Sequence, residues 1–252
     1  MEGTAVQRRL SSSPRPWRAA TVIAATRETP AVRTLELAVP GWPGHRAGQH
    51  LDVRLTADDG YVAERSYSVA SAPGEPVSIT VERLEDGEVS PYLTEELLIG
   101  DTLELRGPVG GYFVWDEGDE DPLLLVAGGS GIVPLRAIIR QRQRTGSDAP
   151  VRLLYSARTP PDVIYREELD SYQDGIAVSY ALTRAQPPGW TGYARRVDAG
   201  LLAEVAWPAG KQPLAFVCGP TSFVETAATG LVGLGYPPER VKTERFGGTG
   251  EH

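Results

Sequence analysis

Apolar and polar positions keep two different rhythms along the 252 residues. From Trp17 to about Trp115 the apolar residues fall in short runs broken by polar ones, as in HLDVRLTA, where Leu51, Val53 and Leu55 are separated by Asp52 and Arg54. Alternation of this kind marks strands with one buried face. The runs ATVIAAT, VRTLELAV, HLDVRLTA, ERSYSVAS, VSITVERL, DTLELRG and YFVW are therefore predicted as strands, divided by proline, glycine and aspartate turns. Such a series implies an antiparallel barrel or sandwich. Segment 90–98 reads instead as a short helix, with Ser90 as its N-cap and Pro91 at the first helical position.

After an acidic, turn-rich bridge at 116–122 the rhythm changes. Continuous apolar runs now alternate with helical ones: LLLVA with PLRAIIRQRQR, VRLLYSA with YREELDSY, AVSYALT with AGLLAEVA, LAFVCG with TSFVETAATGLVGL, and finally VKTERF. Strands buried on both faces and joined by helices indicate a parallel sheet. The expected organisation is a loose tail (1–16), an antiparallel β-barrel domain (17–115) and an α/β parallel-sheet nucleotide-binding domain (122–247).

Composition narrows the chemistry. A formal charge of -8, from 33 acidic and 25 basic residues, argues against nucleic acid or an anionic membrane as partner. One cysteine, Cys218, excludes an internal disulfide and a cluster held by four thiolates of this chain. His45, His50 and His252 suggest no metal site. No apolar run approaches the roughly 20 residues that span a bilayer, and no secretory signal is evident at the start, so a cytoplasmic location is expected.

The stretch GGSGIVPLRAIIR follows the apolar run at 123–127. A helix beginning just after a strand offers unpaired N–H groups and the positive end of its dipole, and Gly128, Gly129, Ser130 and Gly131 leave room for a phosphate there. Pro134 stands where the usual dinucleotide fingerprint has its third glycine, so a plain tight turn remains open as an alternative. The next strand ends in Ser156 and Arg158 without a carboxylate, and Arg166 follows at the start of the next helix. Arginines suit a ribose 2′-phosphate, which favours NADPH over NADH, unless both are ordinary surface charges.

RSYSVAS (65–71), VERLEDGEVSPYL, GDTLELRGPVGGYF, GGSGIVP, VCGP and the terminal ERF, in this order, resemble the ferredoxin-NADP reductase family of flavoenzymes over about residues 17–247. The resemblance implies that Arg65 meets the FAD pyrophosphate, that Tyr67 packs on the isoalloxazine ring and that Ser68 lies near its reactive nitrogen. It places Val81, Glu82 and Arg83 along the ribityl chain and pyrophosphate, and Gly87, Val89 and Ser90 at the flavin phosphates. Ser71 after Ala70 resembles the form associated with FAD rather than FMN. Cys218, with Gly219 and Pro220, is implied beside the nicotinamide; Glu244 joins the polar network near the flavin and Phe246 covers the second ring face. The implied catalytic set is Ser68, Cys218 and Glu244, holding and polarising two rings.

The resemblance further implies hydride transfer from NADPH to flavin, then release of single electrons to a separate acceptor. The chain ends without the cysteines of a fused ferredoxin domain, so the expected acceptor is a ferredoxin, a flavodoxin or an oxygenase component, met by basic side chains such as Arg33, Arg46 or Lys242. A flavin-binding electron-transfer subunit that never oxidises NADPH itself is the competing reading.

Overall fold

The computed structural model describes residues 15–57 and 59–246. Most of the tail at 1–16, together with residue 247 and His252, lies outside the described residues. Six strands form the antiparallel half: β1 (Arg18–Thr29), β2 (Val32–Ala38), β3 (His50–Thr56), β4 (Val62–Ser68), β5 (Val77–Glu82) and β6 (Thr102–Val109), in the order β4-β3-β6-β1-β2-β5. The sheet curls until its two edges touch: Val69 bridges Ile79, and the Ala70 N–H donates to the Ser78 carbonyl. Leu35, Leu37, Leu51, Val53, Ile79, Val81, Leu103 and Leu105 fill the interior. The alternation in the sequence is thus the alternation between core and outer face.

Two predicted elements differ. YFVW is not a strand. Phe113, Val114 and Trp115 are buried in irregular backbone, pressed against Gly48, where even a Cβ would lie 1.9 Å from the Phe113 carbonyl oxygen. Segment 90–98 is not an ordinary helix but one wide π-type turn, Tyr92–Glu96, whose Leu93 joins Leu97 in the barrel core. Ser90 is not its cap. The Ser90 hydroxyl accepts from the Leu84 N–H at 3.0 Å and so closes the preceding loop.

The second half is a five-stranded parallel sheet in the order β11-β10-β7-β8-β9, from β7 (Leu123–Gly128), β8 (Val151–Ala157), β9 (Ile176–Leu182), β10 (Leu214–Pro220) and β11 (Val241–Phe246). Helices α1 (Ile132–Thr145), α2 (Arg166–Ser171), α3 (Ala199–Val205) and α4 (Thr221–Gly233) connect the strands, and separate apolar clusters cover the two faces of the sheet. Chain order reverses between β7 and β10, the switch point at which open α/β sheets bind ligands at their carboxyl ends.

Candidate functional site

The carboxyl ends of β7 and β10 are packed to contact. Gly129–Gly131 makes a tight turn leading into α1, and a Cβ on Gly131 would lie 2.1 Å from the Cys218 carbonyl oxygen and 2.8 Å from the Gly219 nitrogen. Gly129 has φ +55 and no atom within 4 Å of where its side chain would begin. The turn therefore needs glycine for packing at Gly131, and leaves open space for an anion at Gly129. The ring of Phe223, from the first turn of α4, lies against both Gly128 and Gly219; nothing but its place just after VCGP marks this role in the sequence.

Cys218 stands opposite Ala127 on one side and Glu244 on the other in the parallel register. Its thiol is fully buried, and burial, reinforced by Glu244, pushes its pKa well up. It remains a neutral thiol, suited to packing against a ring and unsuited to nucleophilic attack. Glu244 is pushed up to about 7 by burial, partly offset by the hydrogen bond it accepts from the Ser68 hydroxyl at 3.2 Å. That bond joins the two halves of the molecule. A second one lies nearby in the fold, where the Ser130 hydroxyl donates to the Glu82 carboxylate at 2.7 Å. Ser68, Glu82, Ser130, Cys218 and Glu244, drawn from four strands and one turn, thus line one barrel–sheet junction, with Phe246 ending β11 opposite Pro220.

Along edge strand β4, Arg65 stands opposite Val53 and Tyr67 opposite Leu51, so both share the side of the strand that faces the core. Tyr67 is half-buried and packs on the barrel core; burial pushes its phenol up to about 12. Arg65 reaches across to Glu88 at 2.7 Å, and the Tyr61 hydroxyl donates to the same carboxylate at 2.8 Å. The loop carrying Gly87, Val89 and Ser90 is thereby held beside β4, with Val81, Glu82 and Arg83 leading into it. Glu88 lies inside the quoted stretch VERLEDGEVSPYL, yet nothing in its spacing marks it as the counter-ion of Arg65. Ser71, next to the last barrel contact, is buried and accepts from the Ser78 N–H.

Ser156, the last residue but one of β8, stands opposite Gly128, and Arg158 follows the strand. Among the described residues Arg158 makes no side-chain hydrogen bond or ion pair. Arg184, missed in the sequence, belongs beside it: its N–H donates to the Arg158 carbonyl at 2.8 Å. Arg166 is engaged elsewhere, with Asp170 at 2.6 Å and over the Tyr180 ring at 4.8 Å. The cations expected to meet a protein partner also make bonds within the chain. Arg33 donates to the Leu97 carbonyl, Arg46 pairs with Asp116 and Lys242 donates to the Val114 carbonyl. His45 has both ring nitrogens engaged, by Trp42 and the Ser71 carbonyl.

These donors fit two nucleotides: a guanidinium beside a glycine-containing loop on the barrel, and an open glycine turn at a helix start on the sheet. Residues 19–114 match the oxidoreductase FAD-binding domain family and residues 125–229 the oxidoreductase NAD-binding domain family. The chain is 38% identical over 211 residues to ferredoxin–NADP reductase B of Sorangium cellulosum, covering 79% of this chain and 84% of that protein. It is 33% identical over 211 residues to the glycine betaine monooxygenase reductase subunit of Chromohalobacter salexigens, covering 81% of this chain but only 56% of the relative's length. The FAD/NAD-binding domain of nitric oxide dioxygenase from Vibrio cholerae has the same fold, with a TM-score of 0.82 at 23% identity over 92% of this chain and 99% of that one.

Proposed function

Because the chain belongs to the ferredoxin-NADP reductase family of oxidoreductases, with an FAD-binding and a pyridine-nucleotide-binding domain, we propose that it oxidises NADPH and passes the electrons singly to a separate protein. The domains are taken as 17–115 and 122–247. When bound, FAD supplies the two-electron acceptance and one-electron release that no side chain offers. The observation that carries the reading is the junction where Ser68 of the barrel donates to Glu244, beside Cys218 on the sheet.

Each residue then has a task. Arg65 binds the FAD pyrophosphate, with Gly87, Val89 and Ser90 at the phosphates and Val81, Glu82 and Arg83 along the ribityl chain. Tyr67 and Phe246 cover the two faces of the flavin ring. Gly128, Gly129, Ser130 and Gly131 receive the pyridine nucleotide, and Cys218, Gly219 and Pro220 hold its reactive ring at the flavin. Ser68 and Glu244 keep a proton at hand: with its pKa pushed up to about 7, Glu244 can hold a proton near neutral pH and donate it to the Ser68 oxygen, which frees the hydrogen of the Ser68 hydroxyl to be passed on in the same step. The catalytic set acts mainly through distance, since productive transfer needs reacting atoms roughly 3 to 3.5 Å apart.

Ser156 and Arg158 are assigned to the 2′-phosphate, with Arg166 swinging from Asp170 to join them and Arg184 as a further donor. The acceptor is proposed to be an oxygenase component, the kind of partner that the name of the glycine betaine monooxygenase relative gives for that protein, or else a small ferredoxin or flavodoxin.

The test is anaerobic mixing of the FAD-loaded protein with NADPH and with NADH. Bleaching of the flavin band by NADPH is expected; no bleaching by either nucleotide leaves only the non-catalytic electron-transfer subunit. Each charge-assisted hydrogen bond contributes about 1.5–3 kcal/mol. Arg158→Ala with Arg166→Ala should therefore weaken NADPH by about 100-fold or more and NADH by only a few-fold, measured as Kd in the same experiment. Equal losses would remove the assignment to NADPH.

A further inference from the structure

A row of hydroxyls crosses from barrel to sheet away from the residues assigned above to catalysis. Thr34 and Thr80 face each other in the β2–β5 register and their hydroxyl oxygens are 2.8 Å apart. Thr34 also donates to the Glu28 carboxylate at 2.6 Å, and Thr80 meets the hydroxyl of Tyr165 on the other half of the molecule. Thr34, Thr80 and Tyr165 are buried. The direction of the row follows from donor bookkeeping. A carboxylate only accepts, and each hydroxyl has one hydrogen to give. Thr34 must spend its hydrogen on Glu28, Thr80 must then donate to Thr34, and Tyr165 to Thr80. One carboxylate thus orients three hydroxyls.

Tyr165 is also held against its own preference. It has φ 59, a left-handed conformation that costs a side-chain-bearing residue about 1–2 kcal/mol. The Arg136 guanidinium lies over its ring at 4.2 Å, while donating to Glu168 and to the Ala70 carbonyl of the barrel. Strain of this kind persists only where the surroundings over-determine it.

Position gives the row its meaning. Thr80 and Glu82 are two residues apart on β5, hence on the same face, and both bond across to the sheet half, to Tyr165 and Ser130. Tyr165 stands at the entry to α2, in the segment that follows Ser156 and Arg158.

We propose that Glu28, Thr34, Thr80 and Tyr165 are positioning residues, a polar latch between the two halves that sets the distance between the flavin on the barrel and the nicotinamide on the sheet. The inference rests on the reductase reading for the identity of the two rings. The latch touches neither ring, so its loss changes the rate of hydride transfer rather than nucleotide affinity.

Tyr165→Phe is the cleanest variant, because Thr80 can still donate to Thr34 and no donor is orphaned. Thr80→Val removes the middle link, and Thr80→Ser keeps the hydroxyl. Anaerobic stopped-flow reduction of the FAD-loaded protein by NADPH should show the limiting rate falling about tenfold or more in Tyr165→Phe and Thr80→Val. The Kd for NADPH and the bound FAD should stay within twofold of wild type, and Thr80→Ser should restore most of the rate. A wild-type rate in Tyr165→Phe and Thr80→Val, or a Thr80→Ser as slow as Thr80→Val, overturns the latch. If neither nucleotide reduces the wild-type flavin, the reductase reading fails by itself. Amide hydrogen exchange then decides the latch: faster exchange at 164–166 in Tyr165→Phe supports it and unchanged exchange overturns it.

Discussion

Gly131→Ala is expected to destabilise the protein by about 3 kcal/mol or more and to leave it almost unable to take electrons from a pyridine nucleotide. The added methyl carbon would lie 2.1 Å from the Cys218 carbonyl oxygen, 2.4 Å from its carbon and 2.8 Å from the Gly219 nitrogen. All three are backbone atoms of a central strand, which has no rotamer to change. Either the turn lifts off β10 or β10 shifts in the sheet, and Cys218 faces Glu244 through that strand. Gly129→Ala is the control. Its site is open, so the added methyl meets nothing, and the positive φ alone costs about 1 kcal/mol. Thermal unfolding should therefore separate the two, with a drop in Tm of about 6–12 °C for Gly131→Ala and of a few degrees for Gly129→Ala. Under the phosphate reading both variants lose nucleotide affinity, because the Gly129 methyl enters the space assigned to the anion. Loss in Gly131→Ala with none in Gly129→Ala would mean that the turn is a packing element only. FAD on the barrel should be retained in both, as read from the flavin absorbance of the purified protein.

The sequence carried the elements whose burial is periodic. Leu51 and Val53 in β3, or Leu103 and Leu105 in β6, alternate because one face of the barrel is dry, and LLLVA is unbroken because β7 is covered on both faces. It misled where burial came without regular backbone. Phe113, Val114 and Trp115 look like a strand because they are apolar, but they are buried by an irregular crossing against Gly48. Segment 90–98 has a helix's capping residues, yet Leu93 and Leu97 reach the core from one wide turn, whose carbonyls take the Arg33 guanidinium. That capture ties one guanidinium nitrogen of Arg33 to the Leu93 and Leu97 carbonyls. Motifs placed Ser68 and Glu244 each in its own half. Their contact, across 176 residues, belongs to the packing of the two halves and has no local signature. The Glu28–Thr34–Thr80–Tyr165 row is similar, since these common residues acquire direction only when strand register and a half-buried carboxylate align them.

Replacing Glu244 with glutamine should both stabilise the protein and remove a pH dependence. The carboxyl has its pKa pushed up to about 7 by burial, from an ordinary value near 4.5, so the folded state binds a proton that the unfolded state has released between those values. Stability must therefore fall as pH rises from about 4.5 to 7, by about 3 kcal/mol in all, and level off above. Glutamine keeps the shape and accepts the same bond from the Ser68 hydroxyl without ever ionising. The gain in Tm over wild type should be near zero at pH 5 and greatest above pH 7, and a gain independent of pH would show that Glu244 is not the group that titrates. The same substitution bears on catalysis. If the Glu244 proton serves the flavin through Ser68, then wild-type hydride transfer changes with an apparent pKa near 7, and Glu244→Gln flattens that profile while slowing the step about 100-fold, within the usual range for loss of an acid–base group. Ser68→Ala should slow it comparably with FAD still bound. It should also leave Glu244 with a higher pKa still, because the hydrogen bond that opposes the effect of burial is gone. The shift of the stability profile to higher pH in Ser68→Ala, absent in the double variant with Glu244→Gln, would tie both residues to a single proton.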